Sequence, residues 1–162
     1  MSTIKQNVIE AFASVPRPDL MLVRPLRWSE EHESDFQWYR QHSWQEFSEE
    51  LPSGRFDPFE FRSLNPLAYH YFVPGILLAT FNSIEVNPDG LHLWEREWIG
   101  TLIPSRRCVE EFKRDYLVLF TPQQRQAVVR HLEYYNSWHS EKEGYRDEEI
   151  EEAVRKVWWD ET

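Results

Sequence analysis

Cysteine is almost missing from this chain. Cys108 stands alone among 162 residues, so no intrachain disulfide can form, and the lack of a disulfide framework suits a reducing compartment. Glycine is scarce too, at five residues, which argues against a fold of many tight hairpins because such turns demand positive φ. The N-terminal stretch MSTIKQNVIEAF carries neither the basic region nor the continuous apolar run of a signal peptide. No apolar run reaches the roughly 20 residues needed to cross a bilayer. A cytoplasmic protein away from membranes is the expectation. Also missing are G-x-S-x-G, Walker, G-x-G-x-x-G and C-x-x-C patterns and any nucleophile and base at a recognisable spacing. The sequence therefore predicts no catalytic residue, no cofactor and no metal. With no repeat, low-complexity segment or long linker, residues 1–162 are expected to form one globular helical domain.

What the chain does have is aromatic residues, 15% of the total and eight of them Trp, so a core built from rings is expected. Its longest apolar stretch is Ser63 to Glu85, SLNPLAYHYFVPGILLATFNSIE. Asn65 and Pro66 read as an N-cap and first helical residue, because Asn accepts from an orphan backbone N–H while Pro lacks the donor that would go unused. Leu67, Tyr69, Tyr71, Phe72, Ile76, Leu77, Leu78 and Phe81 leave almost no polar face, the mark of a helix enclosed by others. Pro74 and Gly75 interrupt it, predicting a kink or a break into two short helices. His70, inside this block, is expected to have its ring satisfied by a polar neighbour.

Other helices follow from caps and periodicity. Ser2 or Thr3 starts one carrying Ile4, Val8 and Phe12 to about Ser14, and LMLVRPL then reads as an edge strand or packed arm. A second helix is expected from Ser29 to Gln41, with Ser43 capping a further turn that holds Trp44 and Phe47. In the connector LPSGRFDPFEF, Phe56, Phe59 and Phe61 are expected to tuck onto the core or to form a short strand. VNPDG is a turn, in which Gly90 would tolerate positive φ. LHLWEREWIGTLI fits neither period, leaving a short helix slightly preferred over a strand pair. Ser105 is read as the cap of a helix using Val109, Phe112 and Tyr116, and Cys108 as an inert, partly buried thiol. Thr121, Pro122 and Gln124 form a capping box for a helix carrying Val128, Val129, Leu132 and Tyr135, which Gly144 breaks. Asp147 begins a last helix that buries Ile150, Val154, Val157 and Trp158. The fold class is mainly α: a compact multi-helix domain around a kinked apolar central helix, with at most a minor strand pair.

Charge gives the functional expectation. The formal net charge is −10. Ser29 to Glu50 carries seven acids against Arg40, and Glu141 to Thr162 nine acids against four bases, so nearly all of the excess lies in two segments. Direct nucleic-acid binding is disfavoured, because it depends on phosphate neutralisation by Lys and Arg, and a basic protein partner is favoured. Both segments interleave acids with rings, the pattern of an interface with aromatic anchors and electrostatic steering. The residues expected to meet a partner are Glu30, Glu31, Glu33, Asp35, Trp38, Tyr39, Trp44, Glu148, Glu149, Glu152 and Trp159. Solvated acidic helix faces with core rings are the bland alternative. A metal-dependent enzyme using His131 and His139 is a further alternative. Those histidines lie about two turns apart, roughly 12 Å along a helix, which is too far for one ion to use both.

Four stretches, AFASVPRPD, SWQEFSEELP, SLNPLAYHYFVPGILLATF and FTPQQRQAVVRHLEYY, together resemble a family of small bacterial proteins catalogued as domain of unknown function 6714. In that family an early A-F-x-x-V-P precedes an S-x-x-x-F-R-Y-Y-L-P-A-x-L-L core helix and a late F-T-P-E-Q-R helix start. The matches run from Ala11 to about Tyr135, with departures at Asn65, Leu67 and His70. These are packing and capping patterns, so the resemblance implies a shared fold rather than a shared chemistry. By analogy it points to an immunity or antitoxin protein, monomer or homodimer, that occludes a basic partner such as a nuclease toxin. A nucleic-acid mimic inhibiting a DNA-binding enzyme is the other reading of the same charge.

Overall fold

Most helix boundaries follow from chemistry within a few residues of each end. The computed structural model describes residues 3–19, 30–90 and 92–159, with the side chains of 30–32 outside that description. The arm expected over LMLVRPL and the Ser29 start therefore lie outside the described residues. α1 (Ile4–Phe12) begins where Thr3 Oγ1 accepts the Gln6 N–H. α2 (Glu30–Gln41) ends where the Arg17 guanidinium donates to the Tyr39 and Arg40 carbonyls. α3 (Trp44–Glu50) opens on a reciprocal box, in which Ser43 Oγ accepts from the Glu46 N–H and the Glu46 carboxylate accepts from the Ser43 N–H at 2.7 Å. After a 3-10 turn at Leu51–Ser53, Asp57 caps the one-turn α4 (Pro58–Phe61). Then come α5 (Pro66–Val86), α6 (Leu93–Ile99), α7 (Val109–Asp115), α8 (Pro122–Glu143) and α9 (Glu148–Ala153), which continues as a π turn over Val154–Trp158. No strand occurs among the described residues.

α5 is the centre of the domain. Asn65 Oδ1 accepts from the Ala68 N–H as expected, and residues from Ala68 to Thr80 are buried almost without interruption. Around it pack α3, most extensively, then α1, α6 and α8. The predicted break does not occur, since α5 runs on through Pro74. Proline withdraws only its own donor to the His70 carbonyl. Burial of Val73, Ile76 and Leu77 on every side, each worth roughly 1.5–3 kcal/mol, outweighs that loss. Gly75 is there for close approach: a Cβ would sit 2.7 Å from Phe47 Cδ1 and 2.8 Å from the Trp44 carbonyl oxygen, so α3 lies directly on α5. Leu67, counted with the apolar block, is 58% exposed.

α8 holds the other side through one side chain. Gln124 Oε1 accepts from the Thr121 N–H and lies 2.8 Å from His70 Nε2, while Gln124 Nε2 donates to the Ala11 carbonyl. One amide thus joins α1, α5 and α8, and His70 has the polar neighbour expected of it. Gly144, at φ 82°, ends α8.

Three local expectations are corrected. Phe56 and Phe61 are buried but Phe59 is exposed, because the segment is a helical turn rather than a strand and a turn sends residues two apart to different sides. Cys108, not Ser105, precedes α7; no side chain caps it, and the thiol is exposed. Gly90 closes its turn by donating to the Asn87 carbonyl without positive φ.

Candidate functional site

The first acidic segment places its rings inward. Trp38, Tyr39 and Trp44 are all buried. Trp38 stacks on His42 at 4.1 Å and meets the Phe56 ring nearly edge-on at 4.8 Å, and Tyr39 packs on Phe47, Phe56 and Phe72. Their expected exposure to a partner is therefore corrected. The reason is volume: with 15% aromatics, these rings are the material that fills the space between α2, α3 and α5. Burial first, and the nearby carboxylates Asp35, Glu60 and Asp57 next, hold the Tyr39 hydroxyl well above its ordinary range, so it stays protonated. The acids beside them face basic residues of the same chain, Glu33 at 3.6 Å from Arg40 and Asp35 at 3.8 Å from Arg55. Glu30 and Glu31 open α2, and their side chains lie outside the described residues.

The second segment is partly committed as well. Glu149 Oε2 accepts from Arg96 Nη2 at 2.9 Å, while Glu152 accepts from both Arg106 and Lys156, whose hydrogen bonds hold its carboxyl below the usual range. Trp158 is buried and Trp159 is 52% exposed. Glu148 is exposed with no cation in ion-pair range among the described residues. The same holds for Glu141 and Glu143, at the end of α8. Between them stands Tyr145, 62% exposed, whose carbonyl is 3.2 Å from His139 Nδ1. Residues 141–148 thus carry three exposed acids outside any ion pair and one exposed ring, together with Lys142 on the Gly90 carbonyl, Arg146 on Glu151 and Asp147 on Arg96.

The histidines do not gather into a metal centre. His131 is fully buried and its Nε2 lies 2.8 Å from Thr80 Oγ1. Because the Thr80 hydroxyl donates to the Ile76 carbonyl, it accepts from His131 Nε2–H, leaving Nδ1 bare and without a partner. Burial pushes this imidazole down to about 3, keeping it neutral. Among the described residues no three His, Cys, Asp or Glu side chains converge to hold an ion.

A buried polar cluster escaped the sequence reading. His92 Nε2 donates to the Asn87 carbonyl at 2.6 Å, Nδ1 lies 2.7 Å from Glu95 Oε1, and the Ser83 hydroxyl donates to that same oxygen. The i, i+3 spacing of His92 and Glu95 after the VNPDG turn was its signal. As a nucleophile and base it fails, because both ring nitrogens are taken, one by a backbone carbonyl and one by a carboxylate. What it does is clamp the end of α5 to the start of α6.

One concave region was also invisible in sequence. Three adjoining hollows of about 320, 430 and 280 Å³ meet around the segment Gly100 to Ser105, and Arg62 lines all three. The first adds Arg96, Arg106 and Lys156 over a floor of Ile103, Val109 and Val157. Glu149 and Glu152 line it too and answer Arg96, Arg106 and Lys156, which leaves Arg62 as its cation without a carboxylate in ion-pair range among the described residues.

No protein-family model, no curated protein and no solved structure matches this chain.

Proposed function

We infer that this is a non-enzymatic acidic binding protein that covers a basic protein partner, in the manner by which immunity proteins occlude nuclease toxins. The observation that carries this reading is the α8–α9 corner. There Glu141, Glu143 and Glu148 are exposed and outside any ion pair among the described residues, in the same segment as the exposed Tyr145, while Lys142 is turned to the Gly90 carbonyl and Arg146 to Glu151. An exposed aromatic anchor in a segment with unpaired acids provides contact area and electrostatic steering together. The segments that were rich in acids but paired, around Glu33, Asp35, Glu149 and Glu152, contribute less to such a surface, because their charge is already met within the chain. The chain acts as a monomer or homodimer in the cytoplasm on this reading. No helix among the described residues is long and apolar enough to cross a membrane.

The test is calorimetric titration against any basic protein that an adjoining gene encodes, and adjoining genes that encode none count against the reading. Saturable binding that weakens steeply with salt is expected, together with a loss of about tenfold or more in Tyr145→Ala and in the charge reversal Glu148→Lys. Absence of binding by a basic neighbour at low salt, or binding indifferent to both substitutions, overturns the reading.

A further inference from the structure

Gly100 marks the place where two guanidinium groups converge. A Cβ at Gly100 would lie 3.3 Å from Arg62 Nη2 and 3.4 Å from Arg96 Nη1. Arg96 is held from its far side, with Nε on Asp147 at 2.8 Å and Nη2 on Glu149 at 2.9 Å, so Nη1 is left facing Gly100. Arg62 is held by one bond, Nη2 to the Gly100 carbonyl at 2.6 Å, and has no carboxylate in ion-pair range among the described residues. Like charges repel, and here two converge over the bare Cα of Gly100, with Asp147 and Glu149 meeting only the Nε and Nη2 of Arg96. In a chain with 28 acids and 18 Lys and Arg, an unmatched arginine is a position where neutralisation was available and is not used.

The same three residues, Arg62, Arg96 and Gly100, line both the 430 Å³ hollow and the 320 Å³ cleft, so the pair stands at their junction. Asp57 and Glu97 also line the former. The cleft is lined by the apolar Ile103, Pro104, Val109, Ala153 and Val157 and by Glu149 and Glu152, whose carboxylates are already taken by Arg96, Arg106 and Lys156. We propose that this junction is a binding site for a small organic oxyanion, with a carboxylate or phosphate head between Arg62 and Arg96 over Gly100 and an apolar body in the adjoining cleft. Forked guanidinium donors match planar carboxylate and phosphate oxygens, and a missing Cβ lets the head approach the backbone. A cleft of about 320 Å³ is at the small end of ligand pockets, which limits the body to about one ring or a short chain.

Phenyl phosphate and benzoate are suitable probes, titrated into the whole chain by NMR or calorimetry at low salt, with inorganic phosphate and benzyl alcohol alongside. One-to-one saturation by at least one aryl anion is expected, and the tighter of the two identifies the head group. Inorganic phosphate is expected about tenfold weaker, and benzyl alcohol unbound. Arg62→Gln and Gly100→Ala are each expected to weaken binding about tenfold or more. Gly100 has ordinary helical φ of −57°, and its added methyl meets only the ends of two flexible side chains, so that variant keeps its fold. Arg155→Gln removes the same charge from an exposed position elsewhere and is expected to bind as the parent does. The proposal is overturned if neither aryl anion saturates by about 10 mM. It is equally overturned if Arg155→Gln weakens binding as much as Arg62→Gln, or if inorganic phosphate binds as well as phenyl phosphate.

Discussion

At the residue scale the most consequential side chain is His131. The folded state keeps it neutral with its titration pushed down to about 3, whereas an unfolded chain gives it an ordinary value near 6.5. The unfolded state therefore takes up the proton first on acidification. Stability from this group is complete above about pH 6.5 and is lost as pH falls toward 3, at up to about 1.4 kcal/mol per pH unit. His70, depressed by burial, slopes the same way. The lowered carboxylates Glu46, exposed, and Asp115 and Glu152, partly exposed, act only in stronger acid. Urea unfolding at about pH 7, 6 and 5 should show falling stability in the parent and a flatter profile in His131→Leu, which keeps volume and leaves the Thr80 hydroxyl bonded to Ile76. Equal slopes in both proteins would remove His131 as the cause.

Among the elements, the contact of α3 with α5 depends on one missing methyl. Gly75→Ala forces a Cβ against the Phe47 ring and the Trp44 backbone, and backbone cannot swing aside as a side-chain tip can. A destabilisation of about 1–3 kcal/mol is expected by denaturant unfolding, although alanine is the better helix former. A neutral or stabilising result would mean that α3 sits farther from α5. Elements whose ends depend on nearby residues were readable from sequence: the caps at Thr3, Ser43, Asn65, Thr121 and Asp147 all act within three residues of themselves. Of the two outcomes expected at Pro74, the break is excluded by the continuous, buried α5, and Ser105 misled because a turn defers α7 to Val109. The surfaces were least readable. Nothing local distinguishes Trp38 from Trp159, yet one is buried and the other half exposed. Arg62 follows the last residue of α4, Arg96 lies on α6 and Gly100 opens the turn after it, so only the packing of those elements brings them together.

For the whole molecule, the net charge overstates how much acid faces outward unpaired, because Arg40, Arg55, Arg96, Arg106, Arg146 and Lys156 answer many of the acids in the two rich segments. Exposed acids outside any ion pair remain at Glu49, Glu50, Glu97 and Glu133 as well as at the α8–α9 corner, and with Tyr145 as the anchor the salt dependence of partner binding should follow the corner rather than the total. Cohesion comes from rings. Trp158 packs on Phe120 at 5.1 Å and Phe112 at 5.7 Å and donates its indole N–H to the Leu102 carbonyl at 2.8 Å. Trp158→Ala should cost about 3–5 kcal/mol in urea unfolding, and Trp158→Phe, which keeps a ring but abandons the hydrogen bond, clearly less. Equal losses would assign the stabilisation to the bond.

The position of Trp158 also orders events in time. A ribosome releases residues 112–120 well before 150–158, and domains complete themselves as their segments emerge. Until the π turn after α9 is out, Phe112 and Phe120 have no indole to close over them, and Leu102 has no donor for its carbonyl. A nascent chain halted at Ala153 therefore carries an open aromatic face, the kind of surface that chaperones hold and neighbouring chains stick to. The final turn of helix is the latch of synthesis as well as part of the core.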